Sequence, residues 1–174
     1  MPSLFYRKNK QEAFTLVEVL LVLAIILILT AGAINIFSGF LFRNNVDVGV
    51  RQLREHLRKA QFYSMTLSRN SGWGVYLGSS SATLFCLCPG NPNLNNTGID
   101  YITRDPAYDE KISLPSGVTL TGFSGQNLEI HFDRLTGFAS TVPVAGLPVT
   151  INVTSDTDEV RTLTTYQEGT VAVN

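Results

Sequence analysis

The chain has 174 residues, 44% of them hydrophobic and 16% charged, with a formal net charge of −1. That length suits one domain with an appended element, and the composition is more apolar and less charged than an average soluble domain. The only two cysteines, Cys86 and Cys88, lie too close in sequence to staple the fold, and two thiols alone are too few ligands for a closed zinc site.

Residues 1–13 form a basic leader that carries Arg7, Lys8 and Lys10. The segment Ala13-Phe14-Thr15-Leu16-Val17-Glu18 then switches the chain from polar to apolar. Val19 to Phe42 holds no charged residue, and Glu18 is the only charge between Phe14 and Arg43. As a helix this run would be about 36 Å long, enough to cross a bilayer core of roughly 30 Å. A carboxylate within an apolar run of membrane length is costly, so Glu18 points to a function. It also has a local role open to it: Thr15-x-x-Glu18 fits a capping box, and an acid in a first turn favours the helix dipole. Gly32, Ser38 and Gly39 interrupt the run, and each glycine lowers helix stability by about 1 kcal/mol in water.

An ordinary secretory signal is the competing reading of the same segment. Ala31-Gly32-Ala33 is a small-x-small site whose cleavage would release a chain starting at Ile34. Against it, apolar residues continue through Phe42, beyond the point where a signal's apolar core should end. Lys and Arg are nearly balanced on the two sides of the run, so their count sets no orientation. The short leader argues instead for an N-terminus in the cytoplasm.

From residue 43 to 71 the pattern predicts an amphipathic helix continuing from the apolar one. Val46, Val50, Leu53, Leu57, Ala60, Ser64 and Leu67 recur at steps of three and four, with Arg51, Arg54 and Arg58 on a neighbouring stripe. Asn70-Ser71-Gly72 is the stop signal. Six basic residues lie between 43 and 69 against Asp47 and Glu55, whereas residues 70–174 hold four basic and ten acidic ones. A basic stem therefore carries an acidic head, an asymmetry able to orient neighbouring molecules.

Residues 72–174 change to two-residue alternation, which predicts a small antiparallel sheet. Trp73–Leu77 and Ala82–Leu87 form a hairpin across Gly78 to Ser81. Pro89 to Asn96 is a turn-rich loop. Further strands are expected at Ile112–Leu114, Val118–Phe123, Leu128–Phe132, Val149–Val153, Val160–Thr165 and Thr170–Val173, with Asp156 to Glu159 as a hairpin turn. The fold class is α+β: a long N-terminal helix, membrane-spanning in its first half and amphipathic in its second, packed on a small antiparallel head.

Several clusters in the head are candidates for chemistry. His131 lies between Glu129 and Asp133, but Leu128, Ile130 and Phe132 alternate with them, which predicts a half-buried strand with a polar outer face. His56 is expected on the solvated face of the helix. Asp100, Asp105, Asp109 and Glu110 match no regular calcium-ligand spacing and read as an acidic surface loop. Cys86 and Cys88 would stand roughly 6.5–7 Å apart on one strand face, at or beyond the reach of a disulfide. Two half-buried strand thiols are therefore expected, with a disulfide made by a turn at Pro89-Gly90 as the alternative. No nucleophile triad, phosphate-binding loop or metal-ligand spacing occurs, so enzymatic activity, cofactors and metals are not expected.

The basic leader, the small residue, Phe14-Thr15-Leu16-Val17-Glu18 and the long apolar helix together resemble the precursors of type IV pilins and pseudopilins. The head is most similar to the GspH/FimT branch, on Leu53-x3-Leu57-x2-Ala60, Phe132-Asp-Arg-Leu-Thr-Gly137 and a final hairpin from Val160 to Val173. Ala13 departs from the family's usual glycine before the cut. The resemblance implies cleavage by prepilin peptidase between Ala13 and Phe14, N-methylation of Phe14, and pairing of Glu18 with the amino terminus of a neighbouring subunit to set register.

It further implies a structural subunit, a minor pilin or pseudopilin, of a type IV pilus-like or type II secretion filament. Its partners would be other subunits, the peptidase, an inner-membrane assembly platform and lipid, with the head outside the cytoplasm and later in a periplasmic or surface filament. Two alternatives remain: a DNA-uptake minor pilin, and an anchored or secreted binding domain that never polymerises. Phosphate contact needs clustered cations; the C-terminal hairpin offers only Arg161, and the cluster on the stem would be largely covered in a filament, so nucleic acid is not an expected partner.

Overall fold

The computed structural model describes residues 14–88, 100–123, 127–143, 146–156 and 159–174, with residues 32–38 described in their backbone alone. The turn-rich loop expected at Pro89 to Asn96 and the tip of the Asp156–Glu159 turn lie outside these residues. The chain divides into two compact units, Met1–Gly39 and Phe40–Asn174.

The first unit is the beginning of α1, a helix that runs over Leu16–Met65. Thr15 caps it: the Glu18 N–H donates to Thr15 Oγ1 at 3.3 Å and to the Thr15 carbonyl at 3.0 Å. That is the side-chain half of a capping box. From Phe14 to Leu29 every large apolar side chain is 48–80% exposed, with none held against a core. Among the described residues no helix is long and apolar enough to cross a membrane. Residues 16–31 of this helix rise about 24 Å.

The second unit is built on the rest of α1. Val46, Val50, Leu53, Leu57, Ala60 and Ser64 are at most 4% exposed, so the three-and-four spacing marks the face that packs on the head. Leu67 departs from that expectation. The helix ends at Met65, and Leu67 turns out with a left-handed φ of 56°, followed by Arg69 at 60° and Asn70 at 54°. The chain reverses through these three residues to enter the first strand.

Nine strands follow: β1 (Trp73–Leu77), β2 (Ser81–Cys86), β3 (Glu110–Ser113), β4 (Val118–Thr121), β5 (Leu128–Phe132), β6 (Ala139–Val142), β7 (Val149–Ser155), β8 (Val160–Thr165) and β9 (Val171–Val173). They form two sheets where one was expected. The order is β3-β2-β1-β5-β6 in the five-stranded sheet and β4-β7-β8-β9 in the four-stranded sheet, with every pairing antiparallel. The helix face, Val75, Leu84, Ile130 and Phe132 from the first sheet, and Leu120, Ile151, Val153 and Leu163 from the second share one apolar core.

Two polar anchors lock the end of the helix to the strands. The fully buried Ser64 hydroxyl lies 3.0 Å from both the Ala60 and Phe132 carbonyls and accepts from the Trp73 N–H at 2.8 Å. Gln61 Nε2 donates to the carbonyls of Gly137 at 3.3 Å and Glu168 at 3.2 Å, tying the β5–β6 and β8–β9 turns to one helical turn. Gly137 has φ +67°, which favours glycine, and a Cβ there would meet Met65 Cγ at 2.8 Å, so a side chain would strain the backbone and push Met65 aside.

Candidate functional site

At the start of α1, Phe14 is 80% exposed and Glu18 is also exposed. Among the described residues Glu18 has no ion-pair partner, and its backbone N–H is held by the Thr15 cap. Ala13, the other side of the expected cleavage point, lies outside the described residues. The arrangement is a lone carboxylate one turn into a helix whose apolar side chains lie open. In an apolar surrounding such a group would seek a cation, and none lies beside it among the described residues.

A second cluster lies in the head, where sequence alone predicts a polar outer face. Glu129 and His131 share a face of β5 as expected, yet both are buried, at 8% and 9% exposure. Their side chains meet, His131 Nε2 to Glu129 Oε2 at 2.8 Å, and the Tyr101 N–H donates to the same oxygen at 3.0 Å. Residues 100–109 cover this face. Tyr101 stacks on Tyr76 with ring centroids 3.8 Å apart, and the Arg104 guanidinium lies 3.4 Å from the Tyr101 ring centre. Arg104 is gripped by Asp109, and that hydrogen bond holds its pKa above the ordinary value. Burial, with Tyr101 beside it, pushes the Tyr76 phenol up. Beside the stack is an open groove of about 800 Å³, bordered by Tyr76, Tyr101, Phe123, Asn127, Glu129 and Pro143.

The carboxylates of the covering segment work separately. Asp100 caps a turn: burial would raise its pKa, but hydrogen bonds from Thr103 and Ile102 outweigh that and hold it low. Asp105 caps the short 3-10 turn Pro106–Tyr108 by accepting from the Ala107 N–H at 3.0 Å. Glu110 pairs with Lys59, and this hydrogen bond lowers the Glu110 pKa and raises that of Lys59. Among the described residues no group of three or more metal-ligating side chains converges.

His56 is another correction. It is 8% exposed rather than solvated, because Glu110 on β3 lies over it with an Oε1–Nε2 distance of 3.7 Å. Burial lowers its pKa, while Glu110 opposes that shift.

The cysteines are joined. Cys86 ends β2 and Cys88 follows the strand, with their α-carbons 5.0 Å apart in a disulfide. The extended spacing that disfavoured a bond does not apply, because the strand stops between them.

Arg161, the one cation of the C-terminal hairpin, is engaged by Glu159 at 2.8 Å and by Asp47 at 3.4 Å. Arg43 reaches the same Glu159 at 3.6 Å.

Residues 8–34 match the family model of the prokaryotic N-terminal methylation motif. The matched stretch spans the junction of Ala13 and Phe14, includes Glu18 and ends within the apolar run. It supports a type IV pilin-like precursor processed by prepilin peptidase, with other pilin subunits and that peptidase as general partners. No curated protein and no solved structure matches the chain.

Proposed function

We propose that the chain is a structural subunit, a minor pilin or pseudopilin, of a type IV pilus-like or type II secretion filament. The observation that carries this reading is the methylation-motif match at residues 8–34 together with an exposed, unpaired Glu18 at the head of an uncovered apolar helix. Prepilin peptidase would cut before Phe14 and methylate the new amino group. The helix would be held in the inner membrane until an assembly platform passed it into the filament. There the apolar side chains from Leu20 onward would pack against neighbouring helices. Glu18 would meet the ammonium of a neighbouring Phe14, because an unpaired charge in an apolar setting gains most from an opposite one. The role is structural and uses no catalytic group.

The GspH/FimT branch is the assignment we favour. In its support, Leu53, Leu57 and Ala60 are fully buried, Phe132 to Gly137 ends β5 and turns onto the helix, and β8 and β9 pair as the final hairpin.

Glu18→Ala tests the mechanism. Membrane insertion is expected to persist, while the amount of subunit recovered in sheared filaments falls at least tenfold. Undiminished recovery of the variant would remove the register role.

A further inference from the structure

The solvent side of the second half of α1 carries three cations that the head leaves unmatched. Elsewhere in the described head, Arg43, Lys59, Arg104 and Arg161 all meet carboxylates, Arg69 lies over the Tyr108 ring, and Arg134 donates to the Asn70 carbonyl, which leaves Lys111 on β3 as a single exposed cation apart from this group. Arg51, Arg54 and Arg58 have no ion-pair partner among the described residues. Glu55, exposed on the same stretch, forms no pair with them, and Asp47 is engaged with Arg161. The spacing of three and four puts the three arginines on one face, about 10 Å from first to last. Arg54 is half-buried, and its Nε is buried without a hydrogen-bond partner. A guanidinium so placed is a donor awaiting an acceptor.

This face borders an open sheet edge. Asp47, Val50, Arg51, Arg54 and Val173 line a groove of about 270 Å³. Val173 belongs to β9, the last strand of its sheet. Thr162 and Asn174 exchange both backbone hydrogen bonds at 3.0 Å, so the N–H and C=O of Val173 point away from β8. Unpaired cations and unpaired main-chain groups therefore occur side by side.

We infer that this groove binds an acidic, extended segment of a protein partner. The segment adds as a strand to the open edge of β9 and presents carboxylates to Arg51, Arg54 and Arg58. Three carboxylates on alternate strand positions span about 13 Å, close to the reach of the three arginines. Nucleic acid fits less well. The groove offers Val50 and Val173 but no aromatic platform, and ten acidic residues against four basic ones from residue 70 onward repel a long polyanion.

The test uses the full chain in zwitterionic detergent micelles and a fluorescent decapeptide of alternating glutamate and valine, read by anisotropy. Binding is expected, weakening as salt rises, and falling at least tenfold in Arg51→Gln/Arg54→Gln/Arg58→Gln. Arg43→Gln, which alters a cation already paired, is expected to bind as the parent chain does. Val173→Pro removes an edge donor and is expected to weaken binding several-fold with the arginines intact. The inference is overturned if the triple variant binds as tightly as the parent, if Val173→Pro has no effect, or if a single-stranded oligonucleotide of equal charge outcompetes the peptide. None of these outcomes depends on whether the chain forms filaments.

Discussion

Two stretches of α1 are apolar for different reasons. In residues 16–31 the apolar side chains surround the helix and lie open to their surroundings. In residues 46–64 they occupy one face, and that face is sealed against two sheets. The contrast teaches that hydrophobicity all round and hydrophobicity on a stripe require different partners. The stripe has found its partner within the chain; the described side chains of the all-round segment lie exposed, and the proposed function supplies their partners from lipid and then from other subunits.

Substitutions can sharpen that contrast. Leu57→Ala empties a fully buried site and is expected to destabilise the head by about 2–5 kcal/mol, read as a lower midpoint of thermal unfolding in detergent. Ser64→Ala leaves the Trp73 N–H without its acceptor and is expected to cost about 1–3 kcal/mol by the same measurement. Leu23→Ala, the counterpart of Leu57→Ala in the open segment, is expected to change head stability by less than about 0.5 kcal/mol. Its effect should appear as reduced recovery in filaments. A large loss of head stability from Leu23→Ala would erase the distinction between the two stretches.

Acidification supplies a further, smaller test of the sealed stretch. Burial holds the His56 pKa below its ordinary 6.5, so the unfolded chain binds this proton more readily than the folded one. The stabilisation due to neutral His56 is therefore complete above pH 6.5 and declines as pH falls from there toward the lowered folded value. The Glu110–Lys59 pair adds a loss at lower pH, as Glu110 protonates below its ordinary range. Denaturant titrations of the parent chain and of His56→Gln between pH 7 and 5 should diverge, with the flatter profile in the variant.

The sealed stretch was legible in the sequence because its partner imposes a period of three to four along the helix. Eight of the nine strands were legible from two-residue alternation. β6 was not, since Ala139-Ser-Thr-Val142 is short, small and half polar, and its place is fixed by pairing with β5. Burial of Glu129 and His131 was equally hidden. Alternation placed them together on one face, but the cover comes from Tyr101 and Arg104, distant in sequence. His56 was misread for the same reason, because Glu110 approaches from another element. The disulfide was disfavoured by assuming an extended strand through Cys88, where β2 stops at Cys86. At the N-terminus the position is reversed: the motif from Ala13 to Glu18 is plain in sequence, while among the described residues Glu18 has no ion-pair partner.

The central claim is that the open stretch begins a processed filament subunit. The intact mass and N-terminal residue of the protein recovered from its native membrane test it most directly. The account predicts a chain that starts at Phe14 and is heavier by one methyl group. A chain starting at Ile34, or one still carrying Met1, would contradict it.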